Sequence, residues 1–162
     1  MENIICNFKL PDGSLVACDF YDTNGTERYR AVNESYYKKV DGCIIIYDIT
    51  NSKSFDIIEE YFIPKIQEKC INNIPVFILG NKTDMNSERK ISVEQGKRLA
   101  SIYKYYFDEI SSIEKININE IFQIIIIKIK EFVKNRGPNN NDDILRIRIN
   151  PQERNNRCFR CC

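Results

Sequence analysis

Two short segments, Cys43-Ile44-Ile45-Ile46-Tyr47 and Pro75-Val76-Phe77-Ile78-Leu79, are apolar without alternation, and they end in Asp48 and Gly80. Alternation would leave one face of a strand in water. A continuous apolar run needs cover on both faces, which is the environment of a parallel sheet between layers of helix. Between the two runs, Ser52–Lys69 carries Ile57, Ile58, Tyr61, Phe62 and Ile66 on one side and reads as a helix that Pro64 should kink or break. Ser92 with Gln95 predicts a capping box for a helix through Tyr103, and Tyr105–Phe107 predicts a short strand. Ile118, Ile121, Phe122, Ile125, Ile129, Phe132 and Val133 recur at helical spacing. Asn117 with Glu120 can cap that last helix, and Lys134, Arg136, Gly137 and Pro138 stop it. Strands alternating with helices over Cys43–Val133 predict an α/β fold, a mostly parallel sheet with helices on both faces.

Upstream, Ile4–Leu10 and Ser14–Tyr21 flank Pro11-Asp12-Gly13 and read as an antiparallel hairpin. Thr26–Lys39 is polar, with Tyr29, Val32, Tyr36 and Tyr37 spaced as on a short helix or ordered loop. From Pro138 onward asparagines dominate and no core-forming periodicity stands out. The expectation is therefore one domain over 1–137 and a flexible tail over 138–162.

Composition narrows the function. Lys plus Arg (24) nearly cancel Asp plus Glu (23), so the chain lacks the concentrated basic surface of a general nucleic-acid binder. It has no His, which removes His-based catalytic dyads and Cys/His zinc sites. No apolar run approaches the roughly 18 residues that span a bilayer, and Met1-Glu2-Asn3 does not open a secretory signal. Cys6, Cys18, Cys43 and Cys70 sit in apolar segments and read as small buried thiols, while Cys158, Cys161 and Cys162 crowd the last five residues.

Two loops carry chemistry. Asp22-Thr23-Asn24-Gly25-Thr26-Glu27 comes directly after a strand, where an Asp can hold Mg²⁺ through water and a Gly lets its N–H approach a phosphate oxygen. Asp-x-x-Gly is also an ordinary strand-to-loop exit. Asn81-Lys82-Thr83-Asp84 stands at another strand end. A carboxylate there can accept two hydrogen bonds from the N1–H and N2–H₂ edge of guanine, an edge adenine does not offer. Asn81 can bond a ring nitrogen or tie two loops, and the aliphatic stem of Lys82 can cover the base.

In one order, the chain reads D-T-x-G-x-E, Y-D-I-T after a buried strand, G-N-K-x-D after the next, then Ser111-Ser112 after a short strand. This resembles the Ras superfamily of small GTPases, and most closely its Rab branch. Tyr29-Arg30, Tyr36-Tyr37-Lys38-Lys39-Val40, Ile45-Ile46-Tyr47-Asp48-Ile49-Thr50, Ser54-Phe55 and the terminal Cys161-Cys162 all carry the likeness. An unrelated flavodoxin-like fold would need every one of these motifs to coincide in order. The resemblance implies GTP or GDP with Mg²⁺ as ligand and vesicle traffic as the setting. Asn81, Lys82, Asp84, Ser111 and Ser112 would lie at the guanine, with Asp22 and Gly25 near phosphate and metal. It also implies Cys161 and Cys162 as double prenylation sites on the cytoplasmic face of intracellular membranes, with the prenylation machinery and effectors around Tyr29–Tyr37 as partners. Two lipid chains give stable residence where one is marginal, and Arg146, Arg148, Arg154, Arg157 and Arg160 would add attraction to anionic lipid. Cys158 is an alternative site of reversible palmitoylation.

The chain departs from the family in ways that matter. No G-x-x-x-x-G-K-[ST] cradle occurs; the one Gly-Lys, Gly96-Lys97, is succeeded by Arg98, with Ile91 where the first Gly should stand. The sequence begins inside what resembles the family's second strand, so an incomplete Ras-like G domain lacking the first strand and first helix is expected. Thr26 occupies the position of the water-orienting Gln, and Ile113 replaces the Lys of the S-A-K motif. GTP binding and hydrolysis by this chain are therefore expected to be impaired; a nucleotide-free, membrane-anchored interaction module is the alternative. In the family the first strand lies mid-sheet, between the strands ending here at Asp22 and Asp48. Without it those two must pair directly or leave backbone groups unpaired, at about 1–3 kcal/mol for each buried group, or else this sequence is an incomplete version of a longer chain.

Overall fold

The structure, a computed structural model, describes residues 2–22, 37–70, 73–136 and 144–151. Strands β1 (Glu2–Lys9) and β2 (Leu15–Asp22) form the expected hairpin, in register from Glu2 opposite Asp22 to Lys9 opposite Leu15. Its turn closes where the Asp12 carboxylate accepts from both the amide and the hydroxyl of Ser14. Gly13 takes a φ of +82° there, which glycine enters without a Cβ clash. Strand β3 (Gly42–Asp48) is buried along its whole length, as its sequence requires. Strand β4 (Val76–Asn81) runs through Gly80 rather than stopping at it, and β5 (Tyr106–Glu109) is the next strand along the chain.

The segment Ser52–Lys69 is helical in three pieces. Helix α1 (Ser52–Ile57) passes into a π-helical turn (Ile58–Phe62) and then α2 (Ile63–Lys69), with Pro64 in the first turn of α2. Proline donates no hydrogen bond and its ring crowds the carbonyl four residues back. The wider turn, in which the Ile63 amide donates to the Ile58 carbonyl, opens the ladder just ahead of it, so the segment stays helical past the proline. Helix α3 (Val93–Tyr103) starts with the predicted Ser92–Gln95 capping box. Helix α4 (Ile118–Asn135) starts differently from expectation. Asn117 has φ +60° and makes no side-chain cap, whereas a capping residue normally holds an extended conformation that aims its side chain at the first turn. Its side-chain amide nitrogen instead donates to the Glu109 carbonyl at 3.3 Å.

The largest departure lies in the tail. Residues Ile144–Pro151 form strand β6, and the sheet runs β1-β2-β6-β3-β4-β5. Strand β6 is parallel to both neighbours, pairing Ile144–Ile149 with Ala17–Asp22 and Ile147–Pro151 with Gly42–Ile46. Flexibility from 138 onward is thus corrected for these eight residues. The expected alternatives, direct pairing of β2 with β3 or an open gap, give way to a third solution in which the chain's own C-terminal segment fills the middle of the sheet. Leu145 and Ile147 alternate with Arg146 and Arg148, a period-2 signal lost among the surrounding asparagines. Leu145 and Ile147 are buried, Ile147 completely.

Two apolar layers sandwich this sheet. On one face α4 (Ile121, Phe122, Ile125, Ile126, Ile129) packs over Val16, Cys18, Phe20, Ile44, Ile46, Leu145 and Ile147. On the other, α1, α2 and α3 cover Cys43, Ile45, Tyr47, Val76 and Ile78. Gly96 lets α3 lie directly on the strands, since a Cβ there would fall 2.2 Å from the Phe107 ring and 2.8 Å from the Tyr47 hydroxyl. Cys18 and Cys43 are buried, and burial pushes the Cys18 thiol up to about 12.

Candidate functional site

Strands β2, β6, β3, β4 and β5 are all parallel, so their carboxyl ends share one edge. Open α/β sheets bind ligands outside that edge. Asp22 ends β2, Asp48 ends β3, Asn81 ends β4 and Glu109 ends β5. The edge is stepped. Asp48 pairs with Asn81, but Asp22 is level with Ile149 and so with Ile44, four residues short of Asp48. At roughly 3.3 Å per residue that sets Asp22 back by roughly 13 Å along the strand direction. Gly25, Thr26, Cys161 and Cys162 lie outside the described residues, as do Cys158 and most of Tyr29–Tyr37.

The five residues predicted at the base come together. Ser111 is fully buried, and its hydroxyl donates to Asp84 Oδ1 at 2.5 Å while accepting from the Glu114 amide at 3.1 Å. The Ser112 amide donates to Asn81 Oδ1 at 3.1 Å. The two loops are therefore tied side chain to side chain and backbone to side chain. The Thr83 amide adds a bond to the Ile110 carbonyl at 3.3 Å. Lys82 sits between them with φ +72°, and its ammonium reaches back to Asp48 Oδ2 at 2.5 Å. Ile113 is 71% exposed, so nothing in the fold demands an apolar residue where the family has its Lys.

Two supporting pairs were not singled out from the sequence. Arg89 grips Glu109 with both terminal nitrogens, at 2.6 and 2.8 Å, and holds Asn86 Oδ1 at 2.7 Å through Nε. This clamp fixes the 3-10 turn Thr83–Glu88, and Asp84 within it, against the end of β5. The other pair is Asp48 with Lys82. An acid closing a buried apolar strand at the edge where the Asn81–Asp84 loop begins was the available signal.

Burial alone would push the Asp48 carboxyl up. Hydrogen bonds from Lys82 and from the Thr50 hydroxyl and amide outweigh it, and hold the group below the ordinary 3.8. A folded-state value below the unfolded one contributes stability above about pH 3.8, lost as pH falls through the lowered value. Replacing Lys82 by Met removes the first of the lowering bonds. The Asp48 carboxyl resonance, observed by NMR, is then expected to titrate at higher pH, and acid unfolding to begin at higher pH than in the unaltered chain.

The edge fits one end of a guanine nucleotide. Asp84 offers a second carboxylate oxygen beyond the one held by Ser111, in a loop anchored by Asn81, Ser112 and Arg89. The described residues do not fit the other end. Gly80 lies inside β4, with the Tyr47 hydroxyl 2.9 Å from where its Cβ would be, and so opens no loop at this edge. No cradle of backbone amides is seen there among the described residues.

Residues 2–131 match the family model of the Ras family. Ras-related protein Rab-8A of Bos taurus is 36% identical over 153 residues, covering 93% of this chain and 73% of that protein. Ras-related protein Rab-8B of Bos taurus is 40% identical over 111 residues, 68% of this chain and 53% of its own length. The GTP-binding protein ypt3 of Schizosaccharomyces pombe is 34% identical over 132 residues, 82% of this chain and 61% of its own length. A parallel α/β sheet with this order of motifs, matched over most of its length, places the chain in the Ras family. Within that family it is of the Rab type.

Proposed function

We propose that this chain is a Rab-like guanine-nucleotide protein of intracellular vesicle traffic that reads the base through its Asn81–Asp84 loop. The observation that supports it most is the Ser111–Asp84 hydrogen bond, with the Ser112–Asn81 tie beside it. Together they hold a carboxylate, at the carboxyl edge of a parallel sheet, in a loop that needs no further ordering to accept guanine. Asp84 selects the base, Asn81 joins the two loops, Lys82 covers the ring with its stem, and Ser111 and Ser112 complete the wall. Asp22 and Gly25 are assigned to the phosphate and Mg²⁺ side. GTP hydrolysis is slow in this reading, because Thr26 is too short to orient water as Gln does. Lipidation at Cys161 and Cys162 holds the protein peripherally on the cytoplasmic face of membranes. No helix among the described residues is long and apolar enough to cross one.

A second reading draws on one observation. The strand at the position of the family's first strand is β6, and the chain continues from it into Gln152-Glu153-Arg154 rather than into a glycine-rich loop. In that reading the protein is a nucleotide-free interaction module tethered to membrane. Titration of the chain with fluorescent GDP, with and without Mg²⁺, separates the two. Micromolar or tighter Mg²⁺-dependent binding eliminates the module; no saturable binding at millimolar GDP eliminates the switch.

A further inference from the structure

Cys6 and Cys18 stand directly opposite each other across the β1–β2 hairpin. The turn fixes which kind of pair they make. The Leu10 amide donates to the Ser14 carbonyl, so Leu10 and Ser14 form a hydrogen-bonded pair, and alternation along the ladder makes Cys6–Cys18 another. Cα atoms in such a pair stand roughly 5.5 Å apart, inside the roughly 4.4–6.8 Å that a disulfide spans. Both side chains lie on the α4 face, where Cys18 belongs to the core layer and Cys6 packs against it. Phe8 and Phe20, each two residues beyond a cysteine on that face, meet edge to face with ring centroids 5.9 Å apart. Phe8 is opposite Val16 and Phe20 opposite Ile4, so this ring contact crosses the cysteine pair diagonally. The sheet limits the choice of partner. Cys43 and Cys70 belong to the opposite layer, with the strands in between. Among the described residues, Cys18 is therefore the thiol that Cys6 can reach.

We propose that Cys6 and Cys18 are a redox modification site, closed to a cross-strand disulfide by a low-molecular-weight disulfide such as glutathione disulfide and reopened by excess thiol. Cys6 is half-buried whereas Cys18 has no exposed surface, which sets the order of steps. The Cys6 thiolate attacks one sulfur of the oxidant, whose S–S bond breaks; one small thiolate leaves and takes up a proton. Cys6 then carries a mixed disulfide. Cys18 gives up its proton and attacks the Cys6 sulfur, the mixed S–S bond breaks, and the second small thiolate leaves and is protonated. Two protein thiols are oxidised and one small disulfide is reduced to two thiols. Burial keeps the Cys18 thiol protonated, so the second step is the slow one. A target sulfur held opposite it in register offsets this, because the attack is intramolecular.

Closure strains the hairpin. Cβ atoms of facing cross-strand residues stand roughly 4.5–5.5 Å apart, whereas a disulfide holds them at roughly 3.5–4.5 Å. The strands must tighten, and strained disulfides are the readily reduced ones. The link is therefore reversible. While closed, it ties β1 covalently to β2, its one partner among the described strands.

The test incubates the full chain with glutathione disulfide, blocks remaining thiols with iodoacetamide, and maps tryptic peptides by mass spectrometry without reductant. Residues 1–9 and 10–28 are separate tryptic peptides, each with one of the two cysteines. The linked pair, two hydrogens lighter than their sum, is expected in roughly threefold or greater excess over its yield from chain oxidised while unfolded in guanidinium chloride. A roughly tenfold excess of reduced glutathione should reopen it. Cys18→Ala should stop at the glutathione adduct on Cys6, and Cys6→Ser should leave Cys18 unmodified. Amides of β1 are expected to exchange hydrogen roughly tenfold more slowly in the closed form. The proposal is overturned if the unaltered chain stops at the Cys6 adduct, or if linked peptides are no more abundant than from the unfolded chain. A link that survives excess glutathione, or that leaves β1 exchange unchanged, overturns it equally. Nucleotide enters none of these measurements, so a failed GDP titration and a failed closure are distinct results.

Discussion

Ile147→Asp is expected to abolish the cooperative unfolding transition of the whole domain. Ile147 is fully buried, with β2 and β3 on either side and α4 above. Losing a core aliphatic side chain costs about 2–5 kcal/mol, and an unpaired buried carboxylate adds several more. The sum rivals the roughly 5–15 kcal/mol that holds a domain together. Ile102→Lys is the control: Ile102 is 60% exposed on α3, and a change there should stay within about 0.5 kcal/mol. Urea titration monitored by circular dichroism reads both. An Ile147→Asp chain that unfolds at the midpoint of the unaltered protein would mean that residues 144–151 do not complete the sheet.

Asp84→Asn should collapse the preference for guanine while leaving the fold intact. The asparagine carbonyl can still accept from Ser111, so the tie between the loops is kept. The other oxygen becomes an NH₂ that faces donors on the guanine edge, where the carboxylate had faced them as an acceptor. Hydrogen bonds to a charged acceptor contribute about 1.5–3 kcal/mol each. The expected loss is roughly a hundredfold in GDP affinity or more, with GDP and ADP then competing almost equally against a fluorescent analogue. Unchanged selectivity between GDP and ADP would remove Asp84 from the base site and with it the basis of the proposed function.

Much of this was legible because it depends on local chemistry. A run such as Cys43–Tyr47 admits few environments, and β3 is buried end to end. Ser92 and Gln95 cap α3 through backbone groups three residues away, so sequence distance is spatial distance. The Asn81–Asp84 loop was visible for a related reason. Asn81 through Asp84 are contiguous, and their partners Ser111 and Ser112 come just after the next parallel strand, as strand–helix alternation requires. The start of α4 departs from its sequence signal because Asn117 has two ways to use its side chain, and the neighbouring Glu109 carbonyl decides between them.

The sequence alone settled the class of sheet, the helix faces and the order of motifs along one edge, since each arises from burial and spacing within a few tens of residues. Only the tertiary structure decided the centre of that sheet. Ile144–Pro151 alternates too briefly to announce a core strand, and its pairing with Ala17–Asp22 and Gly42–Ile46 joins positions roughly a hundred or more residues apart. The demand that recruited it is not written in the segment. It lies in the hydrogen-bonding groups that β2 and β3 would otherwise have left unpaired beneath α4.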